Sequence, residues 1–279
     1  MAEDLAPDQK HGLPRRLVES ITGPWSWRNA LHWLVLITLI LFVKGCIVDQ
    51  YRIPTGSMEP TLNGDPRYFV GDRVIVNKWV YGPRIPFTTT RLAEWEDPKR
   101  WDIVVFQSVE ENPTASILIK RVVGLPGERI RLHHGELYVN DELVPYPGFM
   151  PEDMEYWNRS DFVGRLILLQ ATPEHIEAFD DQMPLKYGCL PEDEYSLVPE
   201  DHYLLLGDNT RESRDGRVFG WVPRDHLYGR AAAIWWPWNR RRDFTGWTDT
   251  WWGMALLIAL PVGLVLFEVI QSLRRRQKA

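Results

Sequence analysis

Three short segments carry side chains whose types and spacing could do chemistry. In Ile53-Pro54-Thr55-Gly56-Ser57-Met58-Glu59-Pro60-Thr61-Leu62, two prolines and a glycine constrain the backbone around a single serine. An isolated serine hydroxyl is a weak nucleophile and needs a base within hydrogen-bond reach. The seven histidines are scattered. His11 and His32 lie in or before an apolar run, His133 and His134 lie beside a turn, and none falls in a run that reads as the base of a triad. The other candidate is Lys120, in Ser116-Ile117-Leu118-Ile119-Lys120-Arg121-Val122-Val123-Gly124. In a strand Leu118, Lys120 and Val122 share one face, so Lys120 is either a solvated edge charge or a desolvated amine. Desolvation disfavours the ammonium and can lower a lysine pKa by roughly 3–5 units, which a base working near neutral pH requires. The third segment runs from Gly207 through Asp208, Asn209, Ser213, Asp215 and Arg217 to Gly220. It reads as a polar loop after an apolar strand, in which Asp215 and Arg217 can pair locally. A calcium loop starting at Asp208 is excluded, because Ser213 takes its sixth position, where glycine is needed.

The elements that must position these residues are mainly β. Short apolar runs at Arg73–Val76, Ile103–Phe106, Ile117–Val123, Glu136–Val139 and Tyr203–Leu206 are bounded by Gly, Pro, Asp or Asn, the pattern of an antiparallel sheet. Asn140-Asp141 between two such runs predicts a hairpin turn. Residues 148–200 are acidic, punctuated by proline and weakly periodic, and read as an insertion or subdomain whose carboxylates form a solvated face.

Two apolar runs frame this polar middle. Residues 30–48 have the length and composition of a membrane-crossing helix with Lys44 near its end. A cleavable leader would need small residues at a cleavage site after the apolar core, and Lys44 stands there instead. Residues 251–270 predict a second, C-terminal transmembrane helix, kinked at Pro261. Lys10, Arg15, Arg16 and Arg28 precede the first run; Arg274, Arg275, Arg276 and Lys278 follow the second. The positive-inside rule therefore places the tails 1–29 and 271–279 in the cytoplasm and the domain 49–249 outside it. Arg240, Arg241 and Arg242 run against that rule. The Trp-rich stretch Ile234 to Trp238, with Trp247, is a candidate for contact with lipid, since indole suits the membrane–water interface. A net charge of −6, from 32 basic and 38 acidic residues, excludes the basic footprint of a nucleic-acid binder. Cys46 and Cys189 lie in unlike surroundings and suggest no disulfide, and no HExxH or Cys/His cluster suggests a metal.

The segments IPTGSMEPTL, GDRVIVNKWVYG, WDIVVF with ILIKRVVGLPGE, and GDNTRESRDGRVFGWVP, in this order behind an apolar anchor, resemble the type I signal peptidases. The resemblance covers roughly residues 45–147 and 196–232. It implies a mainly β, antiparallel-sheet catalytic domain on the outer side of the bacterial cytoplasmic membrane. That domain would remove signal peptides from exported preproteins after a small-x-small motif, without a cofactor. It implies Ser57 as nucleophile and Lys120 as general base. The Thr55 hydroxyl and the Ser57 N–H would form the oxyanion hole, and Ser213 would orient the lysine amine. Asp215 and Arg217 would be a supporting pair, with Asp208 and Asn209 in the same loop, while Ile53 and Ile119 would line the pockets for the residues before the cut. Three positions depart from the pattern: Trp101 where a small residue is usual, Thr210 where Arg is frequent, and Gly216 where Ser is. Two other readings compete. A catalytically silent membrane scaffold that binds exported chains need not retain Ser57, Thr55, Lys120 and Ser213 together. A self-cleaving repressor of related fold would carry a DNA-binding domain, for which this chain has no segment.

Overall fold

The computed structural model describes residues 26–246 apart from 68, 86–87, 114, 153, 183, 186 and 189–194. The expected C-terminal span and tail, residues 1–25 of the expected N-terminal tail, Trp247 and Cys189 lie outside the described residues, while Trp27, Arg28 and Asn29, expected in that tail, begin the apolar helix. The chain divides into two compact units, the first ending at Gly45 and the second starting at Cys46.

The described part of the first unit is an apolar helix, Trp27–Phe42. The Asn29 N–H donates to the Ser26 hydroxyl at 3.2 Å, which caps the first turn. The helix runs on into a π-helical turn, Val43–Ile47. Together they give 21 residues, Trp27–Ile47, of mean hydropathy 2.2, long and apolar enough to cross a bilayer. Leu34, Val35, Leu39, Ile40 and Leu41 are all exposed, as a lipid-facing helix requires.

The second unit is built on strands: β1 (Val48–Arg52), β2 (Arg73–Asn77), β3 (Ile103–Gln107), β4 (Ile117–Gly124), β5 (Arg129–His133), β6 (Glu136–Val139), β7 (Glu142–Val144), β8 (Ser196–Leu197), β9 (His202–Leu206), β10 (Val222–Pro223), β11 (Leu227–Trp236) and β12 (Arg242–Asp243). Among the described residues they form two sheets. The larger follows the order β1-β2-β11-β3-β4-β9-β10, with β12 added to β11, and the smaller follows β7-β6-β5-β8. Every pairing is antiparallel. Alternation sets the faces: in β2, Val74 and Val76 turn inward while their neighbours stay half-buried. The expected hairpin forms at Asn140-Asp141, both in the left-handed region (φ 52° and 72°), and pairs Val139 with Glu142.

Two features of the larger sheet position the site. β4 pairs with β3 along Ile117–Arg121, but with β9 only from Arg121 onward. Among the described residues, the Ile117–Lys120 half therefore keeps one edge without a strand partner. Beneath the serine segment, Ile53, Met58 and Leu62 pack on Val74, Val76, Ile103, Val105, Ala231 and Ile234. Burying a side chain of this size contributes about 1.5–3 kcal/mol, so Met58 and Leu62 pin the chain just after Ser57.

The insertion holds more order than its sequence suggested. It contains two helices, Arg159–Leu168 and Pro173–Gln182, the first closed by a reciprocal capping box between Asn158 and Asp161. Trp157, Phe162 and Phe179 stack in series, with ring centres 5.2 and 5.0 Å apart, and pack on the core.

Candidate active site

Ser57 sits in a short 3-10 turn, Gly56–Met58, whose carbonyls are held from outside. The Asn209 N–H donates to the Ser57 carbonyl and the Asn209 side-chain amide to the Gly56 carbonyl, both at 3.1 Å. One residue of the polar loop thus clamps both peptide groups that flank the nucleophile. On the opposite side Gly64 presses against Thr55, where a Cβ would fall 1.9 Å from the Thr55 carbonyl oxygen. Thr55 is exposed, and its side chain makes no hydrogen bond that caps the turn.

Lys120 comes to this turn from the free half of β4. Its Nζ lies 2.6 Å from Ser57 Oγ, in hydrogen-bond contact. The sequence pattern left open a solvated or a buried lysine, and the side chain is buried, with the residue 3% exposed. Burial pushes its pKa down to about 8. The carboxylates of Asp215 and Asp208 pull the other way, and Arg217 adds to the lowering.

Behind the lysine, two ion pairs are sunk in the protein. Arg217 grips Asp215 through Nε (2.9 Å) and Nη2 (2.8 Å), and the Gly207 N–H donates to the same carboxylate at 2.9 Å. Burial alone would raise the Asp215 pKa, but the Arg217 charge and these hydrogen bonds hold it below the usual value. Arg217 also donates to the Thr210 hydroxyl at 2.7 Å and to the Trp157 carbonyl at 2.9 Å. Asp208 is held by Arg121 and by the Tyr156 hydroxyl at 3.2 Å. Ser213 is fully buried beside Gly207, where an added Cβ would stand 2.0 Å from its Oγ and 2.5 Å from the Ser57 carbonyl. Its hydroxyl makes no hydrogen bond among the described residues, so the contact expected with Lys120 is not formed.

A groove of about 270 Å³ opens in front of the pair. Ile53, Ile119, Leu118 and Val105 give it apolar walls, while Glu110 and Arg214 stand in it as an ion pair at 2.8 Å. Both residues expected to shape the substrate pockets, Ile53 and Ile119, line it.

The three departures have local causes. Trp101 has φ 76°, a conformation that favours glycine. It is held by an N–H bond to the Val122 carbonyl and by edge contact with Tyr146. Thr210 supplies the hydroxyl that accepts from Arg217 and from the Trp157 N–H. At position 216 any Cβ would meet the Leu205 carbonyl at 2.8 Å, so a serine would clash with β9 unless the chain shifted. Sequence reasoning missed Arg121, Tyr156 and Trp157 as supports. Arg121 follows Lys120 directly, and its charge in an apolar strand was the available signal; nothing local marks the other two.

A family model described as signal peptidase, peptidase S26, matches residues 26–236. Signal peptidase I of Pseudomonas aeruginosa is 32% identical over 220 residues, covering 73% of this chain and 70% of the relative. Signal peptidase I of Pseudomonas fluorescens is 30% identical over 213 residues, with the same coverage. A serine and a buried lysine amine in contact at the mouth of an apolar groove agree with these matches, and the chain belongs to the signal peptidase S26 family.

Proposed function

We propose that this chain is a membrane-anchored serine endopeptidase that removes signal peptides after a small-x-small motif, with Ser57 as nucleophile and Lys120 as general base. The observation that carries the reading is the 2.6 Å contact between Ser57 Oγ and an amine whose pKa burial lowers to about 8. Neutral Lys120 takes the Ser57 proton as Oγ attacks the scissile carbonyl. The developing oxyanion is met by the Ser57 N–H and the Thr55 hydroxyl. Lys120 then hands its proton to the departing amine, and a water deprotonated by the same lysine hydrolyses the acyl-enzyme. Asp215 with Arg217, and Asp208 with Arg121, keep the lysine's surroundings fixed. Asn209 holds the nucleophile turn, and Ser213 waits beside the pair as a neutral hydroxyl.

The groove favours an extended peptide. Among the described residues β1 pairs with β2 alone and the Ile117–Lys120 half of β4 has one unpaired edge, so a substrate strand finds main-chain partners on the groove walls. Ile53 and Ile119 leave space for small side chains before the cut. The apolar helix Trp27–Phe42 anchors the chain in the membrane. With basic tails at 1–29 and 271–279 facing the cytoplasm, the domain 49–249 works on the outer side of the bacterial cytoplasmic membrane. Phe69, Trp235, Trp236 and Trp238 are exposed together, with the Trp236 indole donating to the Phe69 carbonyl at 2.9 Å, and this aromatic surface meets lipid.

The test is incubation of the detergent-solubilised protein with a preprotein bearing an Ala-x-Ala site, followed by sequencing of the new N-terminus. Cleavage immediately after the motif is the expected result. No cleavage by folded protein supplied with lipid would favour a catalytically silent scaffold for exported chains.

A further inference from the structure

The basic run Arg240-Arg241-Arg242 is unexpected in a translocated domain, and each residue in it has a local partner. Arg241 lies 4.2 Å over the Trp238 ring, and Arg242 donates to the Phe149 carbonyl at 2.7 Å. Arg240 reaches further. Its Nε and Nη2 grip the two carboxylate oxygens of Asp72 at 2.9 and 3.0 Å.

Asp72 is wholly buried and is the hub of the segment leading to Ser57. Its carboxylate also accepts from the Asn63 N–H at 2.7 Å. Its own N–H donates to the Asn63 carbonyl, and its carbonyl accepts from the Ile53 N–H, both at 2.9 Å. The Ile53 carbonyl in turn accepts from the Asp65 N–H at 3.1 Å. Between Asn63 and Asp65 stands Gly64, packed so tightly on the Thr55 peptide that no side chain fits there. The path from Arg240 to Thr55 is therefore one salt bridge, one hydrogen-bonded turn and one backbone contact.

We infer that Arg240 is a positioning residue for catalysis: through Asp72 it holds the 63–65 turn against Thr55 and so sets the Thr55 hydroxyl at its oxyanion position. This inference rests on the reading of Thr55 as an oxyanion donor. A buried carboxylate that loses its cation is left uncompensated, and the rearrangement that relieves it loosens the turn. A misplacement of about 1 Å at a reacting centre can lower turnover by about 10²-fold. Arg240→Gln therefore lowers kcat by about 10- to 100-fold with KM little changed. Arg240→Lys keeps the charge without the two-pronged grip and falls between wild type and Arg240→Gln.

The experiment is a double-mutant cycle in kcat on a preprotein peptide, using wild type, Thr55→Ala, Arg240→Gln and the double variant, with Arg241→Gln as control. If Arg240 acts through Thr55, Arg240→Gln lowers kcat almost no further once Thr55 is alanine. Losses that multiply would make Arg240 a general stabiliser and overturn the inference. A fully active Arg240→Gln beside an impaired Thr55→Ala would overturn it too, leaving the Thr55 reading intact. An unimpaired Thr55→Ala would remove Thr55 from the mechanism and this inference with it, without touching Ser57 or Lys120. Should Arg240→Gln fail to fold, Arg240→Lys carries the same cycle.

Discussion

The polar loop behind Lys120 and the helical insertion both use arginine–carboxylate pairs, in opposite surroundings. Around the lysine, Arg217 and Asp215 are both 0% exposed, and Arg121 and Asp208 are 3% and 0% exposed. In the insertion Arg159 and Asp180 are 50% and 32% exposed, and on the smaller sheet Arg129 and Asp141 are 51% and 60% exposed. Water screens the second set, which contributes little to stability. The first set has lost its water and depends on each partner being present, because removing one leaves an uncompensated buried charge. Buried charges are costly to hold, and here they surround the buried amine of Lys120. The comparison suggests that the buried pairs serve geometry and the exposed pairs serve solubility.

The dependence of the buried set on its partners is greatest at Arg217. Arg217→Ala strands Asp215 and is expected to destabilise the protein by about 3–5 kcal/mol, read from the shift of the denaturant midpoint. A shift no larger than that of a surface mutant would refute the dependence on pairing. Next in size is Thr55→Ala, which removes the proposed oxyanion donor and should lower kcat by about 10²–10³-fold, while Thr55→Ser stays near wild type. Smaller again is the effect of pH. On the proposed mechanism Lys120 acts as the neutral amine, and its pKa is lowered to about 8, so kcat/KM should climb with pH through that value and then level off. Each pH unit well below about 8 should cost about tenfold, and a profile flat from pH 6 to 9 would mean Lys120 does not titrate in the reaction. The smallest effect belongs to the exposed pair: Arg159→Ala should change stability by less than about 1 kcal/mol and leave kcat/KM unaltered.

Much of this frame was legible because it is local. β2, β3, β4, β6 and β9 follow from short apolar runs between breakers, the Asn140-Asp141 turn from its tolerance of positive φ, and the pairing of Asp215 with Arg217 from their spacing. The apolar helix starts at Trp27, three residues before the expected boundary, because Ser26 caps it. The fate of Lys120 was not legible from pattern, since a strand lysine among apolar neighbours is buried or exposed according to what lies across it. The helices of the insertion were missed although Asn158 and Asp161 form a capping box, because the acidic, proline-broken composition masked their short apolar faces. Tyr156 and Trp157 support Asp208 and Arg217 from more than 50 positions away in the chain, a contact made only by the fold. Ser213 shows the opposite gap: resemblance supplies a bond to Lys120 that the geometry does not contain.

The most direct test of the central claim is kcat/KM on an Ala-x-Ala preprotein for wild type, Ser57→Ala and Lys120→Ala, measured side by side above pH 8. Cleavage is expected from wild type and none above background from either variant, with both variants folded. Cleavage that survives Ser57→Ala would identify a different nucleophile, and cleavage that survives Lys120→Ala would contradict a buried amine as the base.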